Sequence, residues 1–115
     1  METITELHDR AMEYTDNAYF ANKRGDPLAE LDFNKQALDL EIKAVEMLRD
    51  RYDMELSRSI LYRSATRMAY ACNEMERAEQ LVHFGLSGNP ERSVKDELQD
   101  LLDQIAFDRQ YETAV

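Results

Sequence analysis

The stretch from residue 57 to residue 90 constrains the fold most, because small and apolar residues recur at helical spacing on both sides of one short break. The recurring residues are Tyr62, Ala65, Thr66 and Ala69 before the break, and Ala78 and Val82 after it. Residues three and four positions apart share one face of a helix. Asn73 and Glu74 form the break, and Pro90 closes the stretch. This pattern predicts two helices joined by a tight turn.

The composition of the whole chain favours helices throughout. Its 115 residues correspond to one domain, long enough to bury a core without disulfides or metals. Hydrophobic residues make up 43% and charged residues 33%, which is typical of a folded globular protein. Only three Gly and two Pro are present, whereas Ala, Leu, Glu and Arg, all good helix formers, are frequent. We therefore predict an all-α domain.

Breaks between apolar stripes divide the chain into five predicted helices. Their expected bounds are Thr3 or Thr5 to Lys23, Pro27 to about Arg49, Ser57 or Ser59 to about Cys72, Met75 to Leu86, and Pro90 to about Phe107. Asp26 and Asn89 are further expected caps, because their side chains accept hydrogen bonds from free amides at a helix start. The chain then reads as one domain over residues 1–110, with hairpins at 3–49 and 57–87, a capping helix at 90–107 and a frayed tail at 111–115.

The first predicted hairpin repeats the second at one constant offset. The matching pairs are Tyr14 and Tyr62, Ala18 and Thr66, Ala21 and Ala69, Gly25 and Asn73, and Asp26 and Glu74. Beyond the turn the match slips, since Ala29 and Phe33 each stand one position before the counterparts of Ala78 and Val82. The chain thus contains two related units, of which the first is the more degenerate.

Residues 10 to 105 resemble the tetratricopeptide repeat family, with two degenerate repeats and a C-terminal capping helix. The resemblance rests on Tyr62, Ala65, Thr66, Ala69, Ala78, Val82 and Pro90 and on their counterparts in the first unit. It implies antiparallel hairpins stacked as a short right-handed superhelix of about five helices. It also implies a concave groove lined by the first helix of each hairpin, which in this family binds other proteins.

The third predicted helix carries an unusual run of positive charge. Residues 57–73 contain three arginines and no acid, in a chain whose net charge is −10. By position, the resemblance places Thr15 and the proposed partner-binding residues in the groove: Tyr19, Asn22, Lys23, Arg63, Arg67 and Tyr70. Arginine binds carboxylates through a planar fork, so a partner peptide or helix with acidic groups is expected. The alternative is that the arginines pair with acids of the protein itself, for which Glu13, Asp16 and Glu74 are candidates.

These patterns favour a protein–protein interaction module, either an adaptor or a regulatory subunit. The alternative is a self-associating structural bundle, a homodimer without a peptide-binding groove. No phosphate loop, nucleophile elbow or metal-binding helix motif occurs, so we expect no enzyme activity, cofactor or metal. The negative charge argues against nucleic acid and anionic membranes as partners. One cysteine and the absence of a signal-like start predict a cytoplasmic location.

Overall fold

A computed structural model describes residues 2–114 and contains five α-helices in that part of the chain, with no strand. The helices are α1 (Ile4–Lys23), α2 (Pro27–Leu48), α3 (Glu55–Ala71), α4 (Met75–Leu86) and α5 (Arg92–Ala114). A single 3₁₀ turn, Tyr52–Met54, precedes α3. The predicted all-α fold of about five helices is confirmed.

The first two helices begin where their capping residues predict. Of the two candidate caps for α1, Thr3 is the one used, and its hydroxyl accepts from the Glu6 amide at 3.1 Å. The Thr3 amide in turn donates to the Glu6 carboxylate, which completes a capping box. The Asp26 carboxylate accepts from the Ala29 amide at 3.1 Å, and Pro27 occupies the first helical turn of α2.

Two predicted helix starts were wrong. Helix α3 begins at Glu55 rather than at Ser57 or Ser59, because the 3₁₀ turn runs directly into it. The Ser59 hydroxyl donates to the Glu55 carbonyl at 2.9 Å, so it serves the helix interior instead of a cap. Helix α5 begins at Arg92, not after Asn89.

Helix α5 also differs from the prediction at both of its ends. At its start, the Lys95 amide donates to the Glu91 carbonyl at 2.8 Å. Pro90 is buried in the link that precedes the helix. Its end lies at Ala114, well beyond the predicted Phe107. The predicted frayed tail therefore starts inside a helix, and Val115 lies outside the described residues.

The helices pack as two hairpins followed by one more helix. Helix α1 packs along α2, and α3 packs along α4, while α2 meets α3 to join the hairpins. Helix α5 lies against both helices of the second hairpin. Buried apolar side chains from all five helices form one cluster, which includes Leu7, Leu38, Tyr62, Val82 and Leu98. In the described part of the chain, no helix has the combined length and apolarity needed to cross a membrane.

The two hairpins reverse direction through the same backbone path. Gly25 and Asn73 occupy equivalent places in the two turns, and both have positive φ, at 75° and 58°. The amide after each one donates back to a buried alanine carbonyl, from Asp26 to Ala21 at 2.9 Å and from Glu74 to Ala69 at 3.0 Å. Glycine and asparagine tolerate this left-handed conformation best. The internal repeat read from the sequence is therefore also a repeat of backbone geometry.

The outer face of the first hairpin is polar. In α3, Leu61 and Ala65 are buried, and their counterparts in α1 are Glu13 and Asn17, which are exposed. A terminal unit of a helical stack needs this polarity, since no neighbour covers it. Glu13 and Asn17 thus give α1 a polar face where α3 has a buried apolar one.

Cys72 is buried at the end of α3, and burial raises the pKa of its thiol to about 11, with a smaller contribution from the charge of Glu74. The thiolate is the reactive form, so the native thiol is expected to react very slowly with an aromatic disulfide reagent at pH 8. The same reagent in denaturant should react within the mixing time. Equal rates in the native and the denatured protein would contradict the buried placement of Cys72.

Candidate partner-binding groove

An open groove of about 400 Å³ lies between α1 and α3. Both helices pack on α2, and their facing sides remain apart above it. Side chains that border the groove include His8, Met12 and Thr15 from α1 and Arg63, Ser64 and Arg67 from α3. The three residues of α1 recur three or four positions apart, and Arg67 follows Arg63 and Ser64 by four and three, so each set shares one side of its helix. The groove therefore has one basic wall and one wall that carries a histidine, a methionine and a threonine.

A buried carboxylate ties the two walls to the helix beneath them. Glu41 of α2 is completely buried, and the Ser64 hydroxyl donates to its Oε2 at 2.6 Å. His8 Nδ1 lies 2.9 Å from both carboxylate oxygens. The N–H at Nδ1 can donate to these oxygens, as the Ser64 hydroxyl does. The His8 side chain is about one-third exposed and borders the groove.

The position of Glu41 in the sequence indicates burial, although its charge suggests exposure. Glu41 lies at helical spacing within the buried stripe of α2, between Ala37, Leu38, Ala44 and Val45. A carboxylate inside such a stripe must find donors when it is buried. The identity of those donors could not be read from the sequence, because His8 and Ser64 lie on two other helices.

The cluster of His8, Glu41 and Ser64 links α1, α2 and α3 through hydrogen bonds. The Ser64 hydroxyl donates to Glu41 and not to His8, so the nucleophile–base contact of hydrolases is not made. Within residues 2–114, no three His, Cys, Asp or Glu side chains converge on a point that could hold a metal ion. The chemistry on offer in the groove is hydrogen bonding and charge.

The two arginines on the basic wall both contact one acid of α5. Arg63 Nη1 donates to Glu97 Oε2 at 3.0 Å, and Arg67 Nη2 donates to the same oxygen at 2.8 Å. Internal pairing therefore exists, with Glu97 as the acid rather than the expected Glu13, Asp16 or Glu74. Arg67 is 54% exposed and Glu97 is 41% exposed, so water screens their pair, which contributes little to stability. Arg63 is 23% exposed, so its pair with Glu97 is the less screened of the two.

The other predicted anchor on α3, Tyr70, also turns toward α5. Its hydroxyl donates to the carboxylate of Asp108, and this hydrogen bond is the main cause that raises the pKa of Tyr70. Tyr70 does not belong to the lining of the groove between α1 and α3. Its role in the structure is to hold the C-terminal half of α5 against the second hairpin.

Three predicted residues of α1 lie at the turn end of the first hairpin, away from the groove lining. The Lys23 ammonium sits 5.2 Å from the centre of the Tyr19 ring, a cation–π contact. The Asn22 amide donates to Glu30 Oε1 at 3.2 Å. The structure thus brings Arg63 and Arg67 together in the groove, and it gathers Tyr19, Asn22 and Lys23 at a second location.

Arg58, the third arginine of the basic run, is a structural residue. It is fully buried, and its guanidinium lies between the rings of Tyr52 and Tyr62, at 4.7 and 5.0 Å from their centres. Its Nε donates to the Arg49 carbonyl at 2.8 Å and its Nη2 to the Phe84 carbonyl at 2.9 Å. Arg58 therefore links the end of α2 to α3 and α4 and leaves the groove to the other two arginines.

Comparison with known proteins adds no further assignment. A scan against protein-family models finds no match, and searches of curated proteins and of solved structures find no significant match. The likeness to tetratricopeptide repeats accordingly stays a resemblance in residues, spacing and helix order.

Proposed function

We propose that this protein is an interaction module, an adaptor or a regulatory subunit, that holds a partner peptide or helix in the groove between α1 and α3. The observation that carries the proposal is the convergence of Arg63 and Arg67 on one wall of an open groove. Two guanidiniums on successive turns of one helix can each donate two hydrogen bonds to an acidic side chain. The partner therefore carries acidic groups.

The negative charge of the whole chain does not prevent such binding. At physiological salt, charges further apart than about 8 Å are largely screened, so the local charge decides the contact. Arg63 and Arg67 line the groove, and Glu97, which both of them contact, offsets only one of their two positive charges. The cytoplasmic location expected from the single cysteine belongs to the same proposal.

The groove also offers apolar contact for the same partner. Met12 is partly exposed on the α1 wall, and Ile60 and Met68 lie along α3. Methionine adapts to irregular surfaces because its side chain is unbranched and flexible. A partner helix with one apolar edge and one acidic edge fits this combination of walls.

Charge reversal of both arginines should abolish partner capture. We expect immobilised wild-type protein to retain a partner from the cells that produce it, and R63E/R67E to retain less than a tenth as much. The matched control is R24E/R51E, which changes the net charge equally at two exposed arginines outside the groove. All three proteins should show the same helicity by circular dichroism. Equal capture by R63E/R67E and the control would refute the groove.

A compensating variant separates binding from stability. R63E/R67E places two new carboxylates beside Glu97, which is expected to weaken the attachment of α5 through repulsion. Adding Glu97→Lys restores two opposite-charge pairs while the groove wall stays acidic. We expect the triple variant to recover the wild-type melting temperature and still to capture no partner. Recovery of capture along with stability would show that Arg63 and Arg67 act only within the fold.

The alternative function, a homodimer, has one observation in its favour. Large apolar side chains at the turn end of the first hairpin are exposed: Tyr19, Phe20, Leu28 and Leu31. The polar outer face formed by Glu13 and Asn17 argues against extension of the stack on the adjacent side. Solution mass across a range of concentrations discriminates between the two functions. A dimer broken by Phe20→Glu, with no effect of R63E/R67E on any binding, would favour self-association.

A further inference from the structure

We propose that Glu97 occupies the site of the partner's carboxylate, as an internal ligand that the partner must displace. This inference rests on the proposed function of the groove. It assigns a defined oxyanion site to the point where Arg63 and Arg67 meet. It also gives α5 a second role beyond covering the core.

The geometry at Glu97 is that of one oxygen held by two cations. Its Oε2 lies 3.0 Å from Arg63 Nη1 and 2.8 Å from Arg67 Nη2. Each guanidinium carries five N–H donors, so one carboxylate oxygen leaves most of this capacity unused by Glu97. A partner carboxylate that approaches from the groove, which both arginines line, can take over the same donors.

The contact of Glu97 with the arginines can be broken without detaching α5. The side chains of Arg67 and Glu97 are 54% and 41% exposed, and an exposed ion pair contributes little to stability. Arg63 is more covered, at 23% exposed, but its partner Glu97 remains open to water. Helix α5 is held instead by Val94, Leu98 and Ile105, all of which are buried in the core. The glutamate can therefore release the arginines while its helix stays in place.

The carboxylate of Glu97, which occupies the site, indicates the chemical class of the ligand. The present occupant is a carboxylate on a helix, so the partner group that replaces it is a glutamate or aspartate side chain presented by a peptide or helix. A phosphorylated side chain could use the same donors, and it is the competing class in the test below. Both would compete with Glu97, but they differ in charge and in the number of acceptor oxygens.

The test measures binding of a fluorescein-labelled peptide that repeats Glu-Ala-Ala-Leu, by fluorescence anisotropy. We expect E97Q to bind this peptide about three- to tenfold more tightly than wild type, because the internal competitor loses its charge. D100N is the matched control, since it removes an acid of the same charge from an exposed position of the same helix, and it should bind as wild type does. Equal affinity of E97Q and D100N would overturn the role of Glu97.

A further variant separates failure of this inference from failure of the proposed function. R63Q/R67Q should lose the peptide whether or not Glu97 competes for it. If R63Q/R67Q loses binding while E97Q gains none, the groove stands and Glu97 is not a competitor. If R63Q/R67Q binds as wild type does, or if no variant binds, both proposals are wrong. A peptide with phosphoserine in place of Glu that binds E97Q more tightly than the Glu peptide would overturn the carboxylate assignment.

Discussion

Replacement of Arg58 by Met is expected to lower the free energy of unfolding by about 3 to 5 kcal/mol. The change removes the donor from the carbonyls of Arg49 and Phe84, and it leaves the carboxylate of Glu55 without its neighbouring cation, whose Nη1 lies 3.8 Å from Glu55 Oε1. It also removes the cation between the Tyr52 and Tyr62 rings. In a buried setting this cation–π contact accounts for about 1 to 2 kcal/mol of the expected loss.

Urea denaturation followed by circular dichroism measures this loss directly. Arg67→Met is the matched control, because it makes the same chemical change two turns later at a half-exposed position. We expect the control to lose less than about 1 kcal/mol. An equal loss in both variants would mean that the burial and the hydrogen bonds of Arg58 do not add to the free energy of unfolding.

Replacement of Glu41 by Ala is expected to cost about 2 to 4 kcal/mol of unfolding free energy. The carboxylate accepts from Ser64 and from His8, and its removal leaves these donors unsatisfied, which costs about 1 to 3 kcal/mol. Because Glu41 is fully buried, its removal also leaves a cavity beneath the groove. His8 and Ser64 would then lose the hydrogen bonds that link the two walls of the groove to one residue of α2.

The control for Glu41 is Asp39→Ala, which removes an exposed acid from the same helix and should change stability by less than about 0.5 kcal/mol. A double-mutant cycle with His8→Ala tests the contact itself. Loss of His8 should cost little once Glu41 is gone, because the two residues share one interaction. Strictly additive losses would contradict the pairing of His8 with Glu41.

The sequence predicts the helices well where a single local signal decides. Thr3, Asp26 and Pro27 define helix starts, and Gly25 and Asn73 define turns, because these residues act through their own backbone or a neighbouring amide. The start of α3 could not be predicted in this way. Neither the 3₁₀ turn nor α3 has a side-chain cap at its start. Ser57 and Ser59, which follow, are typical capping residues and therefore suggested a later helix start.

The candidate site was predictable only in part, because it depends on contacts between distant helices. Arg58, Arg63 and Arg67 look alike in the sequence, and all lie on α3. The structure separates them through partners that lie far away along the chain, namely the carbonyl of Phe84 for Arg58 and Glu97 for the other two. The resemblance placed Arg63 and Arg67 in a groove, but position alone could not show which acid meets them.

The central claim is that the groove between α1 and α3 binds an acidic partner through Arg63 and Arg67. The most direct test is a titration of ¹⁵N-labelled protein with the Glu-Ala-Ala-Leu peptide, followed by amide chemical shifts. We expect the largest shifts at Thr15, Arg63 and Arg67, with a further change at Glu97 as it leaves the arginines. Shifts confined to the Tyr19–Lys23 end of α1, or an unchanged spectrum, would contradict it.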